Sequence, residues 1–157
     1  MMNDPVLIAE TLVNVPTDFA TAWFLALADH PERYAFESHT GFVLTQGEFG
    51  EPGSRFQTQE RFAGFVKLVL KFELTEVDDY RFIFRSLSPA RDIWGYFELE
   101  PASRNSTYLR LAVGSHRNFQ RRLLGLPPVR GAVQHQIEGE VAHISKSMVL
   151  LYQAEEE

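Results

Sequence analysis

The chain has 157 residues, enough for one domain with a sizeable core. The lack of cysteine excludes disulfide bonds, thiol nucleophiles and thiolate metal sites. The net charge of -6 argues against a general nucleic-acid-binding surface. Because the sequence has no cysteine and its first residues are not basic, we expect a cytoplasmic protein. Because it has no apolar run of about 18 residues, we expect that it does not span a membrane. We expect a single domain over 1–157.

The N-terminal part of the chain predicts a strand followed by one or two short helices. Residues 6–15 are rich in β-branched side chains, and Pro16-Thr17-Asp18 supplies a break, a helix N-cap and an acidic first turn. Apolar residues then recur three and four positions apart, so we expect a helix to about Asp29. Pro31 ends this helix and can begin a second one over 31–34.

A glycine-rich segment, Gly47-Glu48-Phe49-Gly50-Glu51-Pro52-Gly53, raises the question of a phosphate-binding loop. Such a loop presents backbone N–H groups where a strand meets a helix N-terminus. Here the next residues alternate with period two through Phe62, which indicates a strand, and no Gly-Lys-Ser or Gly-Lys-Thr occurs in the sequence. We therefore expect a hairpin with Pro52-Gly53 in a type II turn.

The middle of the chain shows strand patterns separated by short breaks. We expect strands near 42–49, 54–63, 66–77, 80–88, 92–100 and 106–116. Connections this short imply antiparallel neighbours, since parallel strands need long crossovers. In the third of these strands, apolar residues face one side while Lys67, Lys71 and Glu73 face the other, which predicts one buried face.

The longest helical pattern comes last, after Pro127-Pro128. Its apolar residues keep one stripe: Val129, Val133, Ile137, Val141, Ile144, Met148 and Leu151. They lie within about 120° of one another, so we expect an amphipathic helix over 129–153 that covers an apolar surface.

This order of elements favours an α+β class, with a curved antiparallel sheet of about seven strands wrapped around the long C-terminal helix. Three segments resemble the START-like, or SRPBCC, helix-grip superfamily, which includes the birch pollen allergen relatives and the polyketide cyclase/dehydrase and lipid-transport group. They are Leu12-Val13-Asn14-Val15-Pro16-Thr17-Asp18-Phe19-Ala20-Thr21-Ala22-Trp23, Gly50-Glu51-Pro52-Gly53-Ser54-Arg55-Phe56, and Trp94 to Pro101. The C-terminal helix matches in length and place. The resemblance implies a helix-grip fold with a cavity for a hydrophobic or amphipathic molecule between sheet and helix.

Three functional alternatives follow from this resemblance and from the 13 phenylalanines of the chain. The first is the binding, or transport, of a hydrophobic or amphipathic small molecule without a cofactor. The second is a cyclase- or dehydratase-type enzyme acting on a polyketide-like or related apolar substrate, with a pocket carboxylate as acid or base. The third is a protein-interaction module whose core is filled by its own side chains. The sequence leaves open whether the protein is an enzyme.

The candidate site residues are apolar side chains that face the expected cavity and two carboxyl groups beside them. The predicted wall comprises Phe36, Phe56, Thr58, Phe62, Leu70, Phe72, Phe82, Phe84, Phe97, Leu111, Ile137, Val141 and Ile144. Glu60 shares a strand face with Phe56, and a carboxyl among phenylalanines should have a raised pKa that suits proton transfer. Alternatively, Glu60 lies wet at the strand end or pairs with Arg110. Glu140 lies about 60° from the centre of the helix stripe and can reach the same cavity.

The remaining candidates are a cationic segment that could contact a partner and two histidines that could bind a metal ion. A cationic segment with interleaved apolar residues contains Arg117, Arg121, Arg122 and Arg130. It is either a solvated loop or a portal that makes a transient contact with an anionic group or a membrane surface. His135 and His143 would lie about 12 Å apart along the last helix and off its apolar stripe, so we expect surface histidines and no metal site there.

Overall fold

The computed structural model describes residues 3–36, 39–62 and 66–156. Within these ranges the chain forms seven strands, three α-helices and two 3-10 turns. The strands are β1 (Leu7–Val13), β2 (His39–Gln46), β3 (Arg55–Phe62), β4 (Val66–Asp78), β5 (Arg81–Ser88), β6 (Ile93–Ser103) and β7 (Ser106–Ser115). The helices are α1 (Thr17–Leu25), α2 (Asn118–Gly125) and α3 (Pro127–Glu156), and the 3-10 turns are Ala26–Ala28 and Pro31–Tyr34.

The strands form one antiparallel sheet in the order β1-β7-β6-β5-β4-β3-β2. Because β1 pairs with β7 and every other pair joins consecutive strands, the short connections predicted from the sequence suffice for nearly all of the sheet. Helix α3 packs against β1 and β7 and also contacts α1 and α2. This is the predicted α+β helix-grip arrangement of a curved sheet and a long C-terminal helix, and the prediction is confirmed.

The main core lies between the inner, helix-facing side of the sheet and helices α1 and α3. On α3, Ile137, Val141, Ile144 and Met148 are buried, as the predicted stripe requires. On α1, Phe24 packs its ring against aromatic rings of the sheet and of the β2–β3 loop. The resulting layer is rich in phenylalanine because aromatic rings fill the wide space that a curved sheet leaves beneath a helix.

The β2–β3 loop confirms the predicted turn. The Ser54 N–H donates a hydrogen bond to the Glu51 carbonyl at 3.1 Å, so Pro52 and Gly53 occupy the two central positions. Gly53 has φ of 91°, which a type II turn requires at its third residue and which glycine adopts without strain. Strand β3 follows directly, which leaves no helix N-terminus to receive a phosphate.

Several elements differ from the sequence predictions. Helix α1 ends at Leu25 and is followed by a 3-10 turn, where one helix to about Asp29 was expected, and β2 ends at Gln46 rather than near residue 49. Residues 118–125, expected as part of a loop, form α2. Strand β2 begins at His39 rather than near residue 42, which extends the sheet by three residues toward the preceding 3-10 turn. None of the helices within the described residues is both long and apolar enough to cross a membrane.

Candidate functional site

A cavity of about 260 Å³ lies between the inner face of the sheet and helices α2 and α3. Its residues from the sheet and the connections are Tyr34, His39, Phe56, Thr58, Glu60, Leu70, Phe72, Phe84, Ser86, Pro89, Ala90, Ile93, Trp94, Phe97, Leu111 and Val113. Its residues from the helices are Leu124, Val133, Gln136, Ile137 and Glu140. Because Pro89 is exposed and Leu70, Ala90 and Val133 are half-buried, we infer that the cavity reaches the surface between the β5–β6 connection and the start of α3.

Most of the predicted wall residues line this cavity, but four lie elsewhere. Phe56, Thr58, Leu70, Phe72, Phe84, Phe97, Leu111 and Ile137 line it, together with both candidate carboxyl groups. Phe82 packs on Phe24, and Val141 and Ile144 belong to the packed core, because the cavity occupies only one end of the space under α3. Phe36 stacks on His143 outside the cavity. The side chain of Phe62 lies outside the described part of the structure.

Three buried polar side chains, which we call the His–Glu cluster, meet at the inner end of the cavity: His39, Glu60 and Glu140. His39 Nε2 lies 3.9 Å from an oxygen of Glu60 and 3.6 Å from an oxygen of Glu140. These side chains come from β2, β3 and α3, so the cluster joins the sheet edge to the long helix. The exposed fractions are 1% for His39, 7% for Glu60 and 6% for Glu140, which excludes bulk water from their surroundings.

Strand register and two hydrogen bonds position Glu60. His39 and Glu60 are paired residues of neighbouring antiparallel strands, so their side chains project from the same face. The Thr58 hydroxyl donates to one Glu60 oxygen at 2.8 Å, and the side-chain amide of Gln136 donates to the other at 3.3 Å. The two donors hold the carboxyl group in place from the strand and from the helix.

Burial sets the protonation of the cluster. It raises the pKa of Glu140 to about 8, and it raises the pKa of Glu60, although the hydrogen bonds from Thr58 and Gln136 act in the opposite direction. It lowers the pKa of His39 to about 3, to which the charge of nearby His143 contributes. His39 is therefore neutral at pH 7, so its contacts with the two carboxyl groups are not salt bridges, and its contact with Glu140 joins two neutral groups.

The surroundings of His39 favour one tautomer. Its Nδ1 is buried and has no hydrogen-bond partner within the described residues. An unsatisfied buried acceptor is more common in proteins than an unsatisfied N–H donor, so we place the hydrogen on Nε2. This tautomer directs the N–H between the two carboxyl groups. The rings of Tyr34 and Phe36 pack on the imidazole and fix its plane.

The sequence analysis missed His39, and it misplaced His143. The predicted strand began after His39, so nothing indicated that this side chain points inward. His143, expected at the surface, is half-buried, and its Nε2–H donates to the carbonyl of Arg33 at 3.0 Å. His135 is exposed, as expected.

The cluster is also the group of described residues whose spacing comes nearest to that of metal ligands, since its nitrogen and oxygens lie within 4.8 Å of one another. Two ligands about 2.1 Å from a zinc ion stand roughly 2.9 to 3.4 Å apart. The separations of 3.6 and 3.9 Å around His39 are longer. Direct coordination would need the side chains to move inward by several tenths of an ångström.

The cationic residues lie outside the cavity. Among the described residues that line it, none is lysine or arginine. Arg117 pairs with Asp92 at 2.6 Å, and Arg121 donates to the carbonyl of Asp4 at 2.6 Å. Arg122 and Arg130 are exposed, on α2 and near the start of α3.

Arg110 does not pair with Glu60. It lies on the outer, opposite face of the sheet, where it donates to Glu98 and, at 2.7 Å, to Glu10. Arg81 also donates to Glu98 and lies over the ring of Tyr96. The alternative that Glu60 is a wet or arginine-paired residue is therefore wrong.

Comparison with known proteins supports the fold. No protein-family model and no curated protein matches the chain. Among solved structures, norcoclaurine synthase of Thalictrum flavum, a point mutant in complex with a transition-state analogue, has a TM-score of 0.68 and 13% identity over 93% of this chain and 94% of that chain. The structure of Ara h 8.0201 has a TM-score of 0.62 and 14% identity over 91% and 96%.

The di-domain ARO/CYC BexL, from the BE-7585A biosynthetic pathway, is also similar. It has a TM-score of 0.59 and 11% identity over 92% of this chain, which spans 51% of that longer one. At these identities the likeness shows the fold alone. The START-like resemblance of the sequence is confirmed at that level.

Proposed function

We propose that the protein binds a small, largely apolar molecule in the cavity, with a polar group of that molecule directed at the His–Glu cluster. The observation that carries this proposal is an apolar cavity that ends at buried polar side chains. Ligand sites in proteins have this composition: apolar walls and a few polar groups that fix orientation. The cavity volume of about 260 Å³ lies just below the roughly 300 to 1,000 Å³ of sites for drug-sized ligands, so the ligand is small.

The similar solved structures support the proposal in one respect. The norcoclaurine synthase structure holds a transition-state analogue, so a chain of this fold can hold a small molecule. For the present chain the ligand is inferred from the cavity itself.

Titration with the neutral apolar dye N-phenyl-1-naphthylamine tests the proposal. We expect an increase in fluorescence that saturates at micromolar dye for the wild-type protein. Leu70→Trp should weaken binding at least tenfold, because Leu70 lines the cavity. Val69→Trp is the matched control, since Val69 is the next residue of β4 and is 47% exposed on the other face. Equal binding by the two variants, or no binding by the wild type, would contradict the proposal.

A second candidate function is proton transfer by an enzyme of the cyclase or dehydratase kind. The observation that favours it is a pair of carboxyl groups with raised pKa values beside a neutral imidazole, as general acid–base catalysis requires near neutral pH. Exchange of the α-hydrogens of a small aryl ketone for deuterium in heavy water tests it. We expect Glu60→Gln to abolish any acceleration while dye affinity stays unchanged. Exchange at the background rate with the wild-type protein would count against catalysis.

We also propose that α2 makes the transient contact with an anionic membrane surface. Phe119, Leu123 and Leu126 are 75%, 41% and 51% exposed, and the exposed cations Arg122 and Arg130 lie near them in the sequence. Leu124 of the same helix lines the cavity, so a contact here lies beside the cavity. Sedimentation with vesicles of phosphatidylcholine and phosphatidylglycerol should be reduced by Phe119→Ser and by Arg122→Glu and unchanged by Asn118→Ser. Equal sedimentation of all four proteins would contradict this contact.

A further inference from the structure

We propose that the cavity selects small hydrophobic amines, and that the amine binds as its ammonium ion against Glu140 and Glu60. This inference rests on the proposed binding function and names the chemical class of the ligand. It follows from the charges of the cavity lining, from the one carboxyl group that lacks a donor, and from the proton that this group can release.

The charges of the lining favour a cation. The ionisable lining residues are two glutamates, one histidine and one tyrosine, and no lysine or arginine is among the described residues around the cavity. A carboxylate or phosphate ligand would lie beside two buried carboxyl groups with no counter-charge, which is costly where the groups are shielded from solvent. An ammonium ion instead supplies the positive charge that the buried glutamates lack.

Glu140 is the group that needs a donor. Glu60 already accepts hydrogen bonds from Thr58 and Gln136, whereas Glu140 makes no hydrogen bond to any residue within the described ranges. Glu140 is 6% exposed and lines the cavity. A primary ammonium carries three N–H donors, so it can donate to Glu140 and to Glu60 together.

Binding of the ammonium ion releases one proton from Glu140. In the free protein at pH 7 the Glu140 carboxyl is protonated, because burial raises its pKa to about 8. An ammonium ion that binds there stabilises the carboxylate, so the carboxyl proton is released to solvent and an ammonium–carboxylate pair remains. His39 stays neutral since its pKa is about 3, and it does not compete as a cation. The other titratable groups that face the cluster are Tyr34 and, behind His39, His143.

The aromatic wall suits the rest of such a ligand. Phe56, Phe72 and Phe84 contact one another edge to face and in stacks, and all three line the cavity. Ring faces attract a cation as well as an apolar body, so the approach to the carboxyl groups also favours an ammonium group.

Isothermal titration calorimetry with three matched compounds tests the inference: 4-phenylbutylamine, 4-phenylbutanol and 4-phenylbutyrate. At pH 7 and in EDTA we expect the amine to bind at least tenfold more tightly than the alcohol, and the carboxylate to bind most weakly. The amine enthalpy should differ between phosphate and Tris buffers by the amount that corresponds to release of about one proton. The alcohol enthalpy should not depend on the buffer.

Two variants locate the effect. Glu140→Gln should remove both the advantage of the amine over the alcohol and the proton release. Glu138→Gln is the matched control, because Glu138 lies two residues away on the exposed side of α3. If Glu140→Gln does not fold, as judged by circular dichroism, Glu60→Gln replaces it, with an expected loss of at least threefold in the amine-to-alcohol ratio.

The outcomes separate the inference from the function on which it rests. Equal binding of amine and alcohol without proton release overturns the amine inference and leaves the binding function standing. Failure of all three compounds and of the neutral dye overturns both. Amine binding that disappears in EDTA and returns with Zn²⁺ also overturns the inference, because the cluster would then act through a metal ion.

Discussion

Two glutamates of similar burial, Glu60 and Glu98, lie on opposite faces of the same sheet and have opposite surroundings. Glu98 is 5% exposed on the outer face and accepts hydrogen bonds from the guanidinium groups of Arg81 and Arg110. Glu60 is 7% exposed on the inner face, where its donors are the neutral groups of Thr58 and Gln136. The outer carboxylate thus has paired charge, and the inner one has hydrogen bonds without a counter-charge.

The difference indicates separate roles for the two faces of the sheet. Charge pairing on the outer face ties β1, β5, β6 and β7 together through one chain of ion pairs, which is a structural task. On the inner face, burial without a cation favours the neutral carboxyl, so the free energy of unfolding falls as the pH rises from the ordinary pKa toward the raised pKa values. Groups kept in this state near a cavity are typical of functional sites.

The largest expected effect is on the pH dependence of stability. The pKa of Glu140 is about 8 in the folded protein and near 4.5 when exposed, so its contribution is complete below about pH 4.5 and is lost as the pH rises toward 8. Relative to Glu140→Gln, the wild-type free energy of unfolding should fall by about 3 to 4 kcal/mol between pH 5 and pH 8, with a slope that approaches about 1.4 kcal/mol per pH unit in the middle of this range. Urea denaturation across this range measures it. Parallel curves for the two proteins would refute the assigned burial effect.

The two glutamates themselves can be exchanged for glutamine. Glu98→Gln should lower the free energy of unfolding by about 2 kcal/mol at pH 7, since Arg81 and Arg110 lose their counter-charge and both remain partly wet. Glu60→Gln should change it by only about 1 kcal/mol, because burial raises the pKa of Glu60 and the substitution removes no ion pair with a lysine or arginine. Chemical denaturation of both variants checks the contrast, and a larger loss from Glu60→Gln would reverse it.

Gly95 on β6 provides a test of the cavity wall. A Cβ at this position would lie 2.6 Å from the ring of Phe84 and 2.9 Å from the carbonyl of Ala112, so Gly95→Ala must displace the ring or the strand. We expect a loss of about 2 kcal/mol and weaker dye binding, because Phe84 lines the cavity. Denaturation and dye titration measure the two effects. Gly131→Ala, where a Cβ meets open space, serves as control.

The smallest expected effect concerns the donor to Glu60. Thr58→Val removes the 2.8 Å hydrogen bond and should cost about 1 kcal/mol while raising the pKa of Glu60 further, since that bond favours the ionised form. Thr45→Val removes an exposed hydrogen bond of neighbouring β2 and should leave this pKa unchanged. An NMR titration measures the pKa of Glu60 in both variants. Equal values in the two variants would show that Thr58 does not act on Glu60.

Local patterns were enough to predict most of the fold. The alternation in β3 and β4, the stripe on α3 and the Pro52-Gly53 turn are each determined by residues close in sequence, and each prediction is confirmed. Helix α2 was missed because it is short and no side chain forms a capping hydrogen bond at its N-terminus.

The site was only partly predictable. Alternation along β3 placed Glu60 on the inner face, and helical periodicity placed Glu140 near the cavity. His39 could not be assigned in the same way, because its position depends on the register between β2 and β3 and on the earlier start of β2. Pairing His39 with Glu60 from the sequence would have required a prediction of the register between the two strands of this hairpin.

The most direct test is a pH titration of the glutamate side-chain carboxyl carbons by NMR in the free protein. We expect the Glu140 resonance to titrate near pH 8 and the Glu60 resonance to titrate well above 4.5, with each assignment confirmed by its glutamine variant. Addition of 4-phenylbutylamine should lower the pKa of Glu140. If both carboxyl groups titrate near 4.5 in the free protein, the inner face does not bury its glutamates without a counter-charge, and the proposed site is wrong.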